Sequence, residues 1–256
     1  MFKAIRMTIL LLILFFVTVS AWLAQSRSTD WQNSLWAKIY SINGDGSDIS
    51  GRYIDTLTEA NFAPIESFVA SELKRYGHSR ERPVRMELGV EIGEQPPNFG
   101  KPPSVPDIML WSLKMRWWAS RVAGPKDNPA PDVKIFVRYH APDDHPVLEN
   151  SVGMQKGMIG IVNAYAGRRQ AGFNNVIIAH EFLHTLGATD KYDPANGLPK
   201  FPLGFAEPKR IPLFPQRFAE IMGGRIPMSD TTAMIPDNLK HVLIGAETAQ
   251  EIRLVE

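Results

Sequence analysis

The eleven residues from His180 to Asp190, His-Glu-Phe-Leu-His-Thr-Leu-Gly-Ala-Thr-Asp, constrain this chain more than any other stretch. The apolar run Val176-Ile177-Ile178-Ala179 leads into them, so the helix predicted over Phe173 to Leu186 threads the middle of a domain. His180 and His184 are four apart and share one helix face. From that face both imidazoles reach a single zinc ion, each at about 2.0–2.1 Å. Glu181 is too close in sequence to the first ligand to complete the tetrahedron, but it is placed to hold a water beside the metal. Gly187 supplies the positive φ that ends a helix and reverses the chain, and Asp190 then returns as a third ligand. Two His, one carboxylate and an open fourth position describe a catalytic zinc site rather than a structural one. The expected metal ligands are His180, His184 and Asp190, the expected catalytic residue is Glu181, and the expected cofactor is one zinc ion per chain.

The bland alternative is an amphipathic helix whose histidines only satisfy local hydrogen bonds. Against it stands the joint occurrence of the helix pattern, Gly187, Asp190 and a downstream glycine-paired turn. Glu207 and Glu220 compete with Asp190 for the third position. Glu207 sits among Pro202, Pro208 and Pro212, which argues against the second helix that such a ligand needs.

These residues resemble the metzincin metallopeptidase signature, H-E-x-x-H-x-x-G-x-x-H, in the variant with Asp as third ligand. Snapalysin-like and immune-inhibitor-A-like peptidases are similar here, including an acidic residue soon after that ligand, here Asp193. The family also needs a Met-turn beneath the metal. Glu220-Ile221-Met222-Gly223-Gly224 fits that form best, and Met228 and Met234 are weaker because no turn signal follows them. The resemblance implies an α+β, two-lobed domain. Its twisted mixed sheet and active-site helix would form an upper lobe (29–187), and a smaller irregular C-terminal lobe with a terminal helix would follow (188–256). It also implies a zinc endopeptidase, with Glu181 as general base and acid and protein or peptide as substrate. Two rivals are a zinc amidase acting on cell-wall peptides, and a binding or assembly factor on a peptidase-like scaffold.

Hydrophobic patterning supplies the other elements. Leu35 to Ile42 predicts a first strand, closed by the turn Asn43-Gly44-Asp45-Gly46, which lacks the later Gly and Glu of an EF-hand loop. Pro64 opens a helix to about Tyr76, and Val84 to Ile92 alternates as a strand. A proline-rich surface loop follows. Asp107 to Val122 reads as a helix whose Trp111, Trp117 and Trp118 belong to the core rather than to a ligand platform. Val133 to Tyr139 and Gly157 to Tyr165 are strands, and a last helix runs from about Asp237 through Glu251. This order matches the amino-terminal lobe of metzincins, where the last strand before the helix is the sheet edge lining the cleft. Met158 to Tyr165 would then bind an extended peptide through main-chain hydrogen bonds. His140 and His145 flank Asp143-Asp144, which reads as a solvated loop, with a second metal as the alternative.

Composition limits the partners. Lys and Arg number 28 against 27 Asp and Glu, leaving +1, so no field draws the chain to nucleic acid. With no cysteine, disulfides and thiolate zinc sites are excluded. At the amino terminus Lys3 and Arg6 precede an apolar run from Met7 to Val19 that continues to Ala24. A basic cap before such a run is an export signal. It is either cleaved after Val19-Ser20-Ala21 or retained as a membrane anchor (1–28), and either way the domain lies outside the cytoplasm: at the cell membrane, or secreted or periplasmic.

Overall fold

The computed structural model describes residues 31–98, 105–124, 129–145, 147–148, 151–155 and 158–255, with a few positions between 6 and 15. Most of the apolar run from Met7 to Ala24 lies outside the described residues. Among these, no helix is long and apolar enough to cross a membrane.

The chain is an α+β domain. In chain order it forms β1 (Leu35–Asn43), α1 (Asp48–Asp55), α2 (Ala63–Arg75), β2 (Val84–Leu88), α3 (Val105–Val122), β3 (Val133–His140), β4 (Val152–Met154), β5 (Ile159–Tyr165) and α4 (Ala171–Leu186). The strands make one mixed sheet of order β2-β1-β3-β5-β4. All neighbours are parallel except β4, which runs antiparallel to β5, pairing Val152 with Ile161 and Met154 with Ile159.

The central parallel strands β3 and β5, and much of β1, are buried on both faces, so they read as nearly continuous apolar runs, whereas β2 at the edge alternates with the exposed Arg85. Successive side chains point to opposite layers. Ala37, Ile39, Ile135, Val137 and Val162 face one core, which also contains residues of α2 and α4. Tyr40, Ile42, Phe136, Ile159 and Ile161 face the other, beneath α3. On that side Trp118 meets Phe136 at 4.6 Å between ring centroids, and Phe136 stacks on Tyr40 at 5.0 Å.

Five expectations change in detail. The strand β5 is not the sheet edge, because β4 pairs along its outer side and takes that place. Of the α3 tryptophans, Trp118 is core, Trp111 is half-buried with its indole N–H donating to the Pro97 carbonyl at 2.8 Å, and Trp117 is 66% exposed. The expected strand Val84 to Ile92 stops at Leu88, although Gly89 and Ile92 still donate to Ile39 and Ser41 of β1. At Gly89 a Cβ would lie 2.8 Å from the Tyr40 ring, so a side chain there would collide with the second core. The terminal helix is confined to α5 (Ala246–Glu251). Asn238 instead caps a short 3₁₀ turn, and Val242-Leu243 pairs as a strand with Ala219-Glu220. Helix α1 has no counterpart among the expected elements, being mostly polar and burying only Ser50 and Ile54.

Strand β1 lies between β2 and β3, and the indole of Trp31 donates to the Ile252 carbonyl at 2.8 Å. Residues from Trp31 onward are therefore integral to the domain. The unequal burial of two adjacent tryptophans gives a direct check on this packing. Trp118→Ala should cost about 3–5 kcal/mol, and Trp117→Ala about 0.5 kcal/mol or less, read from urea unfolding of the two variants against the parent.

Candidate metal centre

Helix α4 ends by a Schellman turn. Gly187 takes φ +110°, its N–H donates to the His184 carbonyl, and the Ala188 N–H reaches back to the Leu183 carbonyl. That geometry satisfies two terminal carbonyls and requires a residue tolerant of positive φ. It also turns the Ala188 carbonyl towards the helix, where it accepts from His184 Nδ1 at 2.7 Å. Two residues later the Asp190 carboxylate Oδ1 sits 3.2 Å from His180 Nε2 and 3.1 Å from His184 Nε2. The structure thus brings together the three residues that the sequence singled out.

A second turn holds the other histidine. Glu220 to Gly224 forms a tight reversal, with Gly223 and Gly224 donating to the Glu220 carbonyl and Gly224 at φ +72°. Met222 is fully buried, and the Ile221 carbonyl accepts from His180 Nδ1 at 2.9 Å. The alternatives to this turn, Met228 and Met234, lie at the surface, 39% and 52% exposed.

The rival third ligands are occupied elsewhere. The buried Glu220 carboxylate accepts from Gly223 N–H at 2.7 Å, Gly245 N–H at 2.9 Å and the Thr248 hydroxyl at 2.7 Å. Glu207 pairs with Arg217. Asp193 accepts from the Ala195 N–H at 2.9 Å and shapes its own loop.

The donor chemistry fits a cation. A carbonyl oxygen only accepts, so each imidazole commits its Nδ1 proton to the main chain and, when neutral, presents a lone pair at Nε2. Both lone pairs then face a carboxylate oxygen at about hydrogen-bond distance, an arrangement that is repulsive unless positive charge lies between them. Without a metal ion, a proton on the imidazole supplies that charge. Burial works against a charged His180, yet Asp190, Glu181 and the Ile221 carbonyl together raise its pKa. Burial also works against the Asp190 charge, but His180 and His184 hold its carboxyl well below the usual range. Imidazole and carboxylate donors in this number suit zinc.

Glu181 is 5% exposed, and its Oε2 is buried with no hydrogen-bond partner. Burial, the largest influence, pushes its pKa up, and Asp190 adds to this while the two histidines oppose it. Its donor atoms and those of His180 and His184 all lie within 4.8 Å of one another. Tyr192 stands beside the cluster, its ring 6.5 Å from that of His180. Burial first, then the Asp190 and Glu181 charges, raise its pKa and keep the phenol protonated.

Two supporting features are not legible as motifs. Gly153 of β4 packs directly on α4, where a Cβ would fall 2.4 Å from His184 Cβ and 2.7 Å from the Glu181 carbonyl. The second is an ion pair between Lys191 and Glu251 of α5, at 2.7 Å. The same carboxylate accepts from the Thr189 N–H at 3.0 Å, so α5 grips the residues on either side of Asp190.

No family model and no curated protein matches the chain. Among solved structures it is similar to one described as a chaperone-substrate complex, with a TM-score of 0.44 and 14% identity. The alignment covers 86% of this chain and 33% of that one, so the chain spans about a third of its length.

The Lys191 side chain is 3% exposed and the Glu251 side chain 21%. Removing one partner leaves a buried charge unpaired, so Glu251→Ala should cost about 3 kcal/mol and loosen the Asp190 loop. Urea unfolding measures the first effect, and weakened zinc retention during dialysis against a chelator measures the second.

Proposed function

We propose that the chain is a zinc-dependent endopeptidase working outside the cytoplasm, with His180, His184 and Asp190 holding the metal. The observation that carries this reading is the pair of imidazoles with Nδ1 fixed on main-chain carbonyls and Nε2 converging on Asp190, beside an unpartnered buried Glu181 oxygen. Zinc bound there supplies Lewis acidity, which acidifies water and polarises a carbonyl group.

The chain's own groups do the rest. Glu181 accepts a proton from the attacking water and delivers it to the departing amine. Its raised pKa suits both roles, because a base whose pKa approaches the working pH also returns the proton readily. The Tyr192 hydroxyl interacts with Asp190 in the same cluster and would become a donor to substrate once the metal takes up that carboxylate. Asp190, a carboxylate, cancels part of the metal's charge and makes the centre a milder Lewis acid than three histidines would.

The sheet offers a path for an extended substrate. Among the described residues no strand pairs with the outer side of β4, and Gly153 at its middle touches the helix turn that carries Glu181 and His184. An extended peptide added to that edge by main-chain hydrogen bonds passes the cluster. A cavity of about 290 Å³ lined by Pro199, Phe201, Phe205 and Phe214 adjoins Tyr192 through its bridge to Pro199. It favours a large apolar side chain near the scissile bond. The extracytoplasmic placement rests on the basic-then-apolar amino terminus.

A scaffold with a purely structural metal has no use for a buried carboxylate oxygen without a partner, which disfavours the assembly-factor reading. In metal analysis coupled to casein hydrolysis, Glu181→Gln should retain zinc and lose activity by roughly 10²-fold or more. Asp190→Ala should lose the zinc itself. Full activity in Glu181→Gln, or zinc retained by Asp190→Ala, sinks the mechanism, and hydrolysis of purified cell wall but not casein turns the reading to an amidase.

A further inference from the structure

Away from the zinc cluster, a second group of metal-type donors collects at the carboxyl ends of the central parallel strands. Its members are Asp45, in the turn after β1, His140, the last residue of β3, and His145, in the loop beyond. One donor atom from each lies within 4.8 Å of the others. Gly160, near the start of β5, lies by Glu181, whereas Tyr165, at its end, is bonded to Asn174 in the first turn of α4. The two clusters therefore occupy opposite ends of the sheet.

Each donor is held by a specific local device. The Asp45 carboxylate accepts from Ala141 N–H at 2.6 Å through Oδ2 and from Ser47 N–H at 2.9 Å through Oδ1, and its side chain is 8% exposed. The Ser47 and Ser50 side chains also interact with this carboxylate, so a metal ion would take the place of one of these hydroxyl contacts. His140 is 8% exposed, and its Nε2 lies 3.2 Å from Asn163 Oδ1. Arg138 also donates to that oxygen at 3.2 Å, which fixes it as the acceptor and His140 Nε2 as a donor. The neutral ring therefore keeps its lone pair at Nδ1, the second-sphere arrangement common to metal-bound histidines. His145 returns over His140 because its N–H donates to the Ala141 carbonyl at 3.1 Å. The two rings stand 5.2 Å apart edge to face, and His145 Nε2 lies 3.8 Å from Asp45 Oδ2. Gly44 leaves room for the ring itself, since a Cβ there would fall 2.6 Å from His140 Nε2.

We propose that Asp45, His140 and His145 bind a second divalent transition-metal ion, zinc or a close analogue, that braces the β1 turn against the end of β3. Two imidazoles and one carboxylate, with room for water, match that class of ion. Calcium takes six to eight oxygen ligands and is not served here. Asp143 and Asp144, the acidic pair between the two histidines, are exposed and contribute nothing to the cluster. The carboxylate comes instead from a turn 95 residues earlier than His140. His145 begins the connection to β4, so the ion would anchor one end of the segment leading to the strand beside Glu181.

The test is zinc stoichiometry of the full-length protein after equilibrium dialysis with zinc alone, for the parent, His145→Ala, Asp45→Asn and a His180→Ala/His184→Ala double variant. His145 is 43% exposed, so its variant should fold. Two zinc ions in the parent, falling to one in His145→Ala and Asp45→Asn and also to one in the double variant, are the expected result. A His145-dependent ion that survives the double mutation supports this site, whatever becomes of the peptidase reading. Equal stoichiometry in the parent and His145→Ala, whether one ion or two, overturns it.

Discussion

Two main-chain carbonyls, Ile221 and Ala188, decide what the centre of this protein is. Each accepts the Nδ1 proton of one helix histidine, and neither carbonyl belongs to the helix that carries the rings. The tautomer of the site is thus set by two turns, one after Gly187 and one at Glu220 to Gly224. Everything that holds those turns also holds the direction of the two Nε2 lone pairs. Gly187 and Gly224 supply the positive φ, and Met222, between them and fully buried, ties the second turn into the core.

The segment after Gly187 has little regular structure, so it is not held by helix or sheet ladders. Buried charged groups do much of that work. Glu220 gathers three donors from its own turn and from the start of α5. Glu72 of α2 accepts the Ile244 N–H at 2.6 Å, tying the same strand end to the upper helices. Lys191 and Glu251 lock the loop that bears Asp190. Each is satisfied by several hydrogen bonds, the condition under which burying a charge is tolerable. The irregular segment also carries the aromatic cavity beside Tyr192, consistent with long connections being retained where they serve a site.

The sequence made the sheet and its long helices legible because strands buried on both faces and an amphipathic α2 leave strong periodic signals. It also pointed to His180, Glu181, His184 and Asp190, because their spacing ties metal chemistry to a helix and a glycine stop. The rest depended on contacts that have no local signature. Three residues of β4 are too few for a period, so the sequence alone points to β5 as the sheet edge. Trp117 and Trp118 are equivalent in sequence, and only the position of α3 over the sheet separates core from surface. Asp45 reads as part of a plain turn because its partners, His140 and His145, arrive from the end of a distant strand and the loop beyond it. Glu251 and Lys191 look like ordinary surface charges until α5 is placed beside the Asp190 loop.

Gly153 has one more implication. Where strand β4 crosses α4 it has no side chain, so backbone rests directly on the turn bearing Glu181 and His184. Most strand–helix contacts are cushioned by flexible side chains that absorb small shifts. Here a displacement of the strand is transmitted to the helix without slack, because close-packed interiors are stiff. If β4 is the edge that receives an extended chain, docking and the alignment of the base are mechanically one event. A loosely seated chain would leave the proton acceptor misaligned, and selectivity for extended, unfolded segments would follow from the scaffold's rigidity alone.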